Sequence, residues 1–511
     1  MDILAFSLYF VAMLSIGIFF FFKSKNNTEK DYFLGGRQMG PWVTAMSAQA
    51  SDMSAWLLMG LPGSILAFGF GQAWIGIGLA IGTAANWILV AKRLRKFSRA
   101  SGDAITLPQY LSNRFMSKSH TVSIICAVVF LVCFTIYVAS AFVAGSDVFT
   151  TLVPSLSRET AMIIFALIVV TYTFLGGFNA VCWTDFFQGL LMLAALLIVP
   201  IVVGFTRTLE PSALTTVYQG PNGEEFKFVA DFFSASWQDI LSGLGWGLGY
   251  FGMPHIIVRF MAIEKPSMVK KSATVAIIWV VLSLAATIVI AYLGRMFVYS
   301  NGTDLSEVLL REGKQSLIFV ELARDVFPAF IAGLLLAAII AASMSTADSQ
   351  LLVAASAFSS DLYKPMIRKN ASDKEMLWVS RIIVLIIAVV AYFIASSKGE
   401  AAQAIMDLVS NAWGIFGAAF GPVVLFSLFW KRFTYKGAVA GIITGAAVDM
   451  LWLWLPVMGG KTLTAITGIY EIIPGFIIGA IVAIIATLID NAPSQEVQAI
   501  FEKATDNNID D

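Results

Sequence analysis

The chain has 511 residues, of which 58% are hydrophobic and only 13% charged, with a formal net charge of zero. Together with a mean hydropathy of +0.81, this places it among proteins that cross a membrane many times. Zero net charge gives no electrostatic basis for nucleic-acid binding, two histidines (His120 and His255) exclude a His-rich metal centre, and Cys126, Cys133 and Cys182 show neither metal nor disulfide spacing.

The first apolar run, residues 3–22, is long enough to span a bilayer. No basic stretch precedes it, and Lys23, Lys25 and Lys30 follow. It therefore reads as a retained span with the N-terminus outside, not as a cleavable leader. Further spans are expected at 44–70, 72–91, 121–149, 160–178, 186–206, 238–258, 272–298, 318–346, 376–396, 403–429, 437–458 and 473–490, thirteen in all, which puts the C-terminus in the cytoplasm. Lys and Arg gather in the loops that this topology makes cytoplasmic, most densely at Lys92, Arg93, Arg95, Lys96 and Arg99. The expectation is an all-α polytopic membrane protein with one domain over 1–490 and a short, polar, partly disordered tail at 491–511. The loops near 207–237, 299–317 and 347–375 can hold short helices but no separate domain.

Two spans depart from uniform apolarity. The second contains Ser47–Leu61, small and polar in its first half, with Asp52 in the middle and Gly60, Pro62 and Gly63 just beyond. A carboxylate at membrane depth is costly and marks a pathway or ion site by default. Small residues beside it predict a helix that can open its backbone, tolerated only against protein or a water-filled cavity. Five spans later, Gly243–Pro254 carries five glycines with Trp246, Tyr250 and Pro254. Interrupted segments at matching places predict an inverted-repeat transporter, the repeats being about 44–206 and 238–429, with 3–22, 437–458 and 473–490 as extra helices. The competing reading is that these glycines serve close helix packing.

The ninth span ends in Ala341–Gln350. Here Ala342, Ser345 and Thr346 fall at i, i+3 and i+4 and share one helix face. A carbonyl and two hydroxyls offer neutral oxygens to a monovalent cation, and an opened second span could add the carbonyls of Ala50 and Met53. The alternative is that the hydroxyls bond back to their own helix or to a neighbour.

Several segments carry a family resemblance. They are Leu34–Arg37 (LGGR), Ser51–Trp56 (SDMSAW) with Met59–Gly63 (MGLPG), Thr135–Tyr137 (TIY), Gly176–Phe178 with Trp183–Asp185 (WTD), Gly245–Tyr250 (GWGLGY) with Pro254 and His255, Met344–Thr346 (MST), and Phe416–Pro422 (FGAAFGP). In this order, over nearly the whole chain, they resemble the sodium:solute symporter family, and within it the bacterial members that carry proline. The resemblance implies a five-plus-five inverted-repeat core in a bacterial cytoplasmic membrane. It implies a sodium site made by the carbonyls of Ala50, Met53 and Ala342 and the hydroxyls of Ser345 and Thr346. It also implies a substrate site at Trp56, Tyr137, Trp246, Tyr250 and Pro254, where aromatic faces suit a small zwitterion with an apolar ring. Asp52, Ser54, Arg37 and Asp185 match functionally sensitive positions of the family. Gln49 departs from it, standing where many relatives have a smaller residue.

The expected function is therefore sodium-coupled import of L-proline, with sodium as the co-transported ion and lipid as surroundings. Neither an obligatory protein partner nor enzymatic activity is expected, since no nucleotide loop or nucleophile–base constellation occurs. The rivals are a symporter of another solute (a different amino acid, pantothenate, choline or a sugar) and a sodium-regulated sensor or channel on the same fold.

Overall fold

In a bilayer the backbone must satisfy its own polar groups, and an apolar chain does so as helices. The computed structural model describes residues 1–23, 28–175, 177–397 and 403–506. Lys25, Gly176 and the end of the tail, 507–511, lie outside the described residues. Among those described, ten helices are long and apolar enough to cross a membrane.

In chain order the main helices are α1 (Asp2–Lys23), α2 (Pro41–Asp52), α3 (Trp56–Phe68), α4 (Phe70–Ala100), α5 (Thr121–Leu152), α6 (Arg158–Leu175) and α7 (Phe178–Thr206). They continue with α8 (Trp237–Gly245), α9 (Pro254–Ala262), α10 (Val269–Met296), α11 (Ala329–Phe358), α12 (Asp373–Ser397), α13 (Gln403–Phe429), α14 (Tyr435–Trp454), α15 (Ile472–Ile489) and α16 (Gln495–Thr505). The apolar faces of α1, α12 and α15 are largely exposed and face lipid, whereas α11 and α13 are largely buried and form the centre.

Three expected spans take a different form. The run at 44–70 is split into α2 and α3. The run at 238–258 is split into α8, a tight 3-10 turn at Trp246–Phe251, and α9. The run at 318–346 is not one helix. A separate short helix, Ile318–Val326, ends before Pro328, because the residue before a proline is driven out of helical geometry and Phe327 is extended (φ −111°, ψ 150°). Ser345 and Thr346 consequently lie in the middle of α11 and not near its end.

The loop after α7 holds a small antiparallel hairpin pairing Tyr218 with Phe226. Arg295 of α10 pins it, stacking 4.4 Å from the Tyr218 ring and donating to the carbonyls of Ala213 and Thr216. The tail is more ordered than its polar composition predicts. Ser494 caps α16, and Phe501 on that helix packs edge-on against Phe97.

Candidate functional site

The break after α2 is a rearrangement of hydrogen bonds. Met53 leaves helical geometry (φ −84°, ψ 62°). The Ser54 N–H, which a continuous helix would direct at the Ala50 carbonyl, turns to the Asp52 carbonyl at 3.0 Å. The Leu57 N–H goes to Ser54 instead of Met53, also at 3.0 Å. Ser54 closes the break with its hydroxyl, which accepts from the Trp56 N–H at 3.2 Å. Two freed carbonyls find new donors. The Ala50 carbonyl accepts from the Ser345 hydroxyl at 2.8 Å, and the Ser51 carbonyl faces His255 Nε2 at 3.2 Å.

Ser345 also lies 3.2 Å from the Ala342 carbonyl of its own helix, so bridging and back-bonding coexist at one hydroxyl. Thr346 is buried, and its hydroxyl has no partner among the described residues. The Gln49 side-chain nitrogen is likewise buried and unpartnered there. Neutral oxygens from α2 and α11 therefore meet at the break with one hydroxyl to spare.

Asp52 is buried at the same level and accepts from the Tyr250 hydroxyl at 2.6 Å, which ties the first break to the second. The indoles of Trp56 and Trp246 stack with centroids 5.6 Å apart, one from each interrupted span. Trp413 of α13 donates to the Trp246 carbonyl at 2.8 Å, and Tyr470 also stacks on Trp246 at 5.1 Å. Tyr137 of α5 meets His255 edge-on at 6.4 Å. Pro254 opens α9, where its missing N–H costs no helical bond.

The glycines of the second interrupted span serve close packing. A Cβ on Gly247 would lie 2.4 Å from the Gly78 carbonyl oxygen, and one on Gly249 would lie 2.0 Å from the Trp413 ring nitrogen. At these positions the packing reading of the glycines holds, alongside the break itself.

Asp185 lies inside α7. It is fully buried, accepts from Ser47 at 2.7 Å and pairs with Arg259 at 3.0 Å. Arg259 also donates to Ser47 and Ser349, so one ion pair joins α2, α7, α9 and α11. Arg37 is a buried clamp. It donates to Ser98 at 3.1 Å, to the Ala104 carbonyl at 2.6 Å and to the Met261 carbonyl, and pairs with Asp103 at 2.8 Å. Burial raises the Asp103 carboxyl, but hydrogen bonds and charge from Lys30 and Arg37 outweigh this and hold it below its ordinary range.

Sequence reasoning missed Arg259, Ser47, Trp413 and Tyr470. Arg259 carried a readable signal, a basic residue inside an apolar run (IIVRFMA), but the expected span ended one residue before it and assigned its charge to a loop. Trp413 and Tyr470 carried none, because their role depends on what α13 and α15 pack against.

Helices broken at membrane depth, with freed carbonyls and aromatic faces at the break, define a secondary transporter with an ion site and a solute site. The sodium:solute symporter family model matches residues 32–445, and the chain belongs to that family. It is 42% identical over 510 residues to a sodium/proline symporter of Salmonella typhimurium, covering 98% of this chain and 96% of the relative. It is also 42% identical to a high-affinity proline transporter of Bacillus subtilis, covering 97% and 99%. Its fold matches a solved Na+-coupled sialic acid symporter in a substrate-bound outward-open state, with a TM-score of 0.73 at 18% identity over 97% of this chain and 98% of that one.

Proposed function

We propose that this protein carries L-proline inward together with sodium by alternating access. The observation that carries the reading is the opened turn after α2, where the Ala50 carbonyl has lost its helical donor and takes a hydroxyl of α11 instead. A small cation in that gap would draw on the carbonyls of Ala50, Met53 and Ala342 and the hydroxyls of Ser345 and Thr346. All five are neutral oxygens, which suits a single positive charge. Asp52 acts through Tyr250, holding the two breaks in register. Proline's ring lies among Trp56, Tyr137, Trp246, Tyr250 and Pro254, and the stacked indoles part to admit it. The relatives' names support proline as the solute. The driving force suffices: one charge crossing about 100 mV yields roughly 2.3 kcal/mol, and a tenfold sodium gradient adds about 1.4 kcal/mol.

The topology that goes with this has thirteen spans, the N-terminus outside, the C-terminus inside and inverted repeats at 44–206 and 238–429. The basic cluster at Lys92–Arg99 and the two interrupted spans support it. A single cysteine near Lys96, in an otherwise cysteine-free protein, reacts only with reagents that enter the cell, and one near Gln219 reacts from outside. The reverse pattern discards this topology.

The test of the site is equilibrium proline binding to purified protein across a sodium titration, wild type beside Ser345→Ala/Thr346→Ala. Binding without sodium stays near the wild-type value, and the gain caused by sodium is largely lost. By reciprocity, proline then also ceases to tighten sodium. A double variant with the full sodium-dependent gain removes these hydroxyls from the site.

A further inference from the structure

Away from both breaks, one buried carboxylate stands without a partner. Asp449 on α14 is fully buried, and neither of its oxygens has a hydrogen-bond partner among the described residues. Gly414 on α13 faces it. A Cβ built on Gly414 would lie 3.0 and 3.4 Å from the two Asp449 oxygens and 3.5 Å from the Tyr470 hydroxyl. The glycine thus leaves a gap slightly too small for a methyl group, bordered by a carboxylate and a phenol. Tyr470 spends its own proton on the Ser410 carbonyl, at 2.7 Å, so it does not donate to the carboxylate.

The remaining titratable neighbours are Glu471 at the start of α15, Asp407 of α13 beyond it, and Cys133 of α5. Glu471 is buried and accepts from Thr464 at 3.2 Å. A cavity of about 340 Å³ reaches Trp246, Tyr470 and Glu471, and no basic side chain lines it among the described residues. With acids around it and no donor, a bare Asp449 carboxylate is costly at this depth. It needs a proton or a metal cation. Hard metal cations gather a shell of oxygens, and three oxygens around so small a gap do not make one.

We propose that Asp449, in the gap opposite Gly414 and Tyr470, is a proton-binding site distinct from the sodium site between α2 and α11. Proton uptake converts the carboxylate to a neutral carboxyl. Proton loss places a negative charge beside Glu471, which is joined in sequence to Tyr470. Because Tyr470 stacks on Trp246 and Trp246 on Trp56, occupancy at Asp449 is transmitted to the aromatic pair between the two breaks.

The test uses the purified full-length protein without proline, so it does not depend on the identity of the solute. Infrared difference spectra and tryptophan fluorescence are followed through a pH titration at fixed sodium, then through a sodium titration at fixed pH. Wild type shows a protonated-carboxyl band at neutral pH that disappears on alkaline titration, together with a fluorescence change. Asp449→Asn loses the Asp449 component of each, and the wild-type-minus-Asn difference separates it from the other buried carboxyls, Asp52, Asp185, Asp348, Asp361 and Glu471. Gly414→Ala narrows the gap, disfavours the charged form and shifts the midpoint to higher pH. If Asp449→Asn does not accumulate, Gly414→Ala and Tyr470→Phe carry the titration, and unshifted midpoints in both overturn the proposal. A wild-type-minus-Asn difference that lacks the band also overturns it, as does a signal that follows sodium and ignores pH.

Discussion

Between Asp52 and Trp56 the backbone leaves helical geometry and frees carbonyls, whereas between Gly245 and Met253 it tightens into a 3-10 turn whose glycines lie against α4 and α13. Both stretches are rich in small residues and both interrupt a span. In the first, smallness lets a polar backbone turn toward a partner that could be replaced by an ion. In the second, it lets three backbones approach until no side chain fits. The first break is thus built to exchange partners and the second to stay closed, with Asp52–Tyr250 and Trp56–Trp246 as the links between them.

The comparison breaks most severely at Arg259, the residue of the second interrupted span that reaches into the first. Arg259→Ala leaves Asp185 buried without its cation, and about 3–5 kcal/mol of destabilisation is expected. The measurement is the unfolding midpoint in detergent, with Arg259→Ala/Asp185→Asn regaining much of the loss. Equal midpoints for the single and double variants would show that the cost does not come from a buried Asp185 left without its cation.

Glycine replacement sharpens the contrast. Gly247→Ala forces apart backbones that cannot yield, at about 1–3 kcal/mol. Gly60→Ala, beside the first break, meets only the Trp56 and Met406 side chains, at 3.0 and 3.3 Å, which can move. Its cost stays below about 1 kcal/mol, within the range of ordinary substitutions. Thermal midpoints of the two variants measure the difference, and similar losses would remove the distinction.

Trp246→Ala tests the link by binding. Proline affinity falls by about 1–3 kcal/mol, the scale of burying a large apolar side chain, while sodium binding without proline changes much less. Equal losses of both would make the indole a support of the fold.

The smallest effect is expected from pH at the Arg37–Asp103 clamp. The Asp103 carboxyl is held below its ordinary range, so its contribution is fully present above the unfolded carboxyl's pKa of about 3.9 and is lost only as pH falls through the lower folded value. Asp103→Asn should therefore lower the thermal midpoint equally at pH ~6 and ~8, both well above that range. A difference that grows between those values would contradict the assignment.

Much of this was legible in the chain. Hydropathy found an apolar run under each long helix, because the bilayer rewards apolar length whatever the neighbours, but it set the ninth span at 318–346 where α11 runs Ala329–Phe358. Asp52 and the small residues around it marked the first break, since a carboxylate there needs a reason. Pro328 was legible in principle, but apolarity on both sides of it carried the expected span through the break. Asp185 was singled out, yet its partner was not, because the 74 residues separating it from Arg259 leave no trace of a pairing made only in three dimensions. Tyr470 lies in a stretch that composition makes a loop, and only the packing of α15 brings it to Trp246.

The docking of α16 bears on how the protein is made. Arg114, fully buried, donates to the Val497 carbonyl 383 residues later in the chain and stacks 5.2 Å from Phe501, while Lys431 pairs with Glu502. Residues made early thus wait for a helix made some 383 residues later. Synthesis adds roughly 5–20 residues per second, so the C-terminal end of α4 and the segment around Arg114 spend on the order of tens of seconds unsealed during translation. A chaperone or a quality-control protease has that interval to act, and a chain that stalls before Gln495 remains marked as unfinished by a buried arginine without its cover.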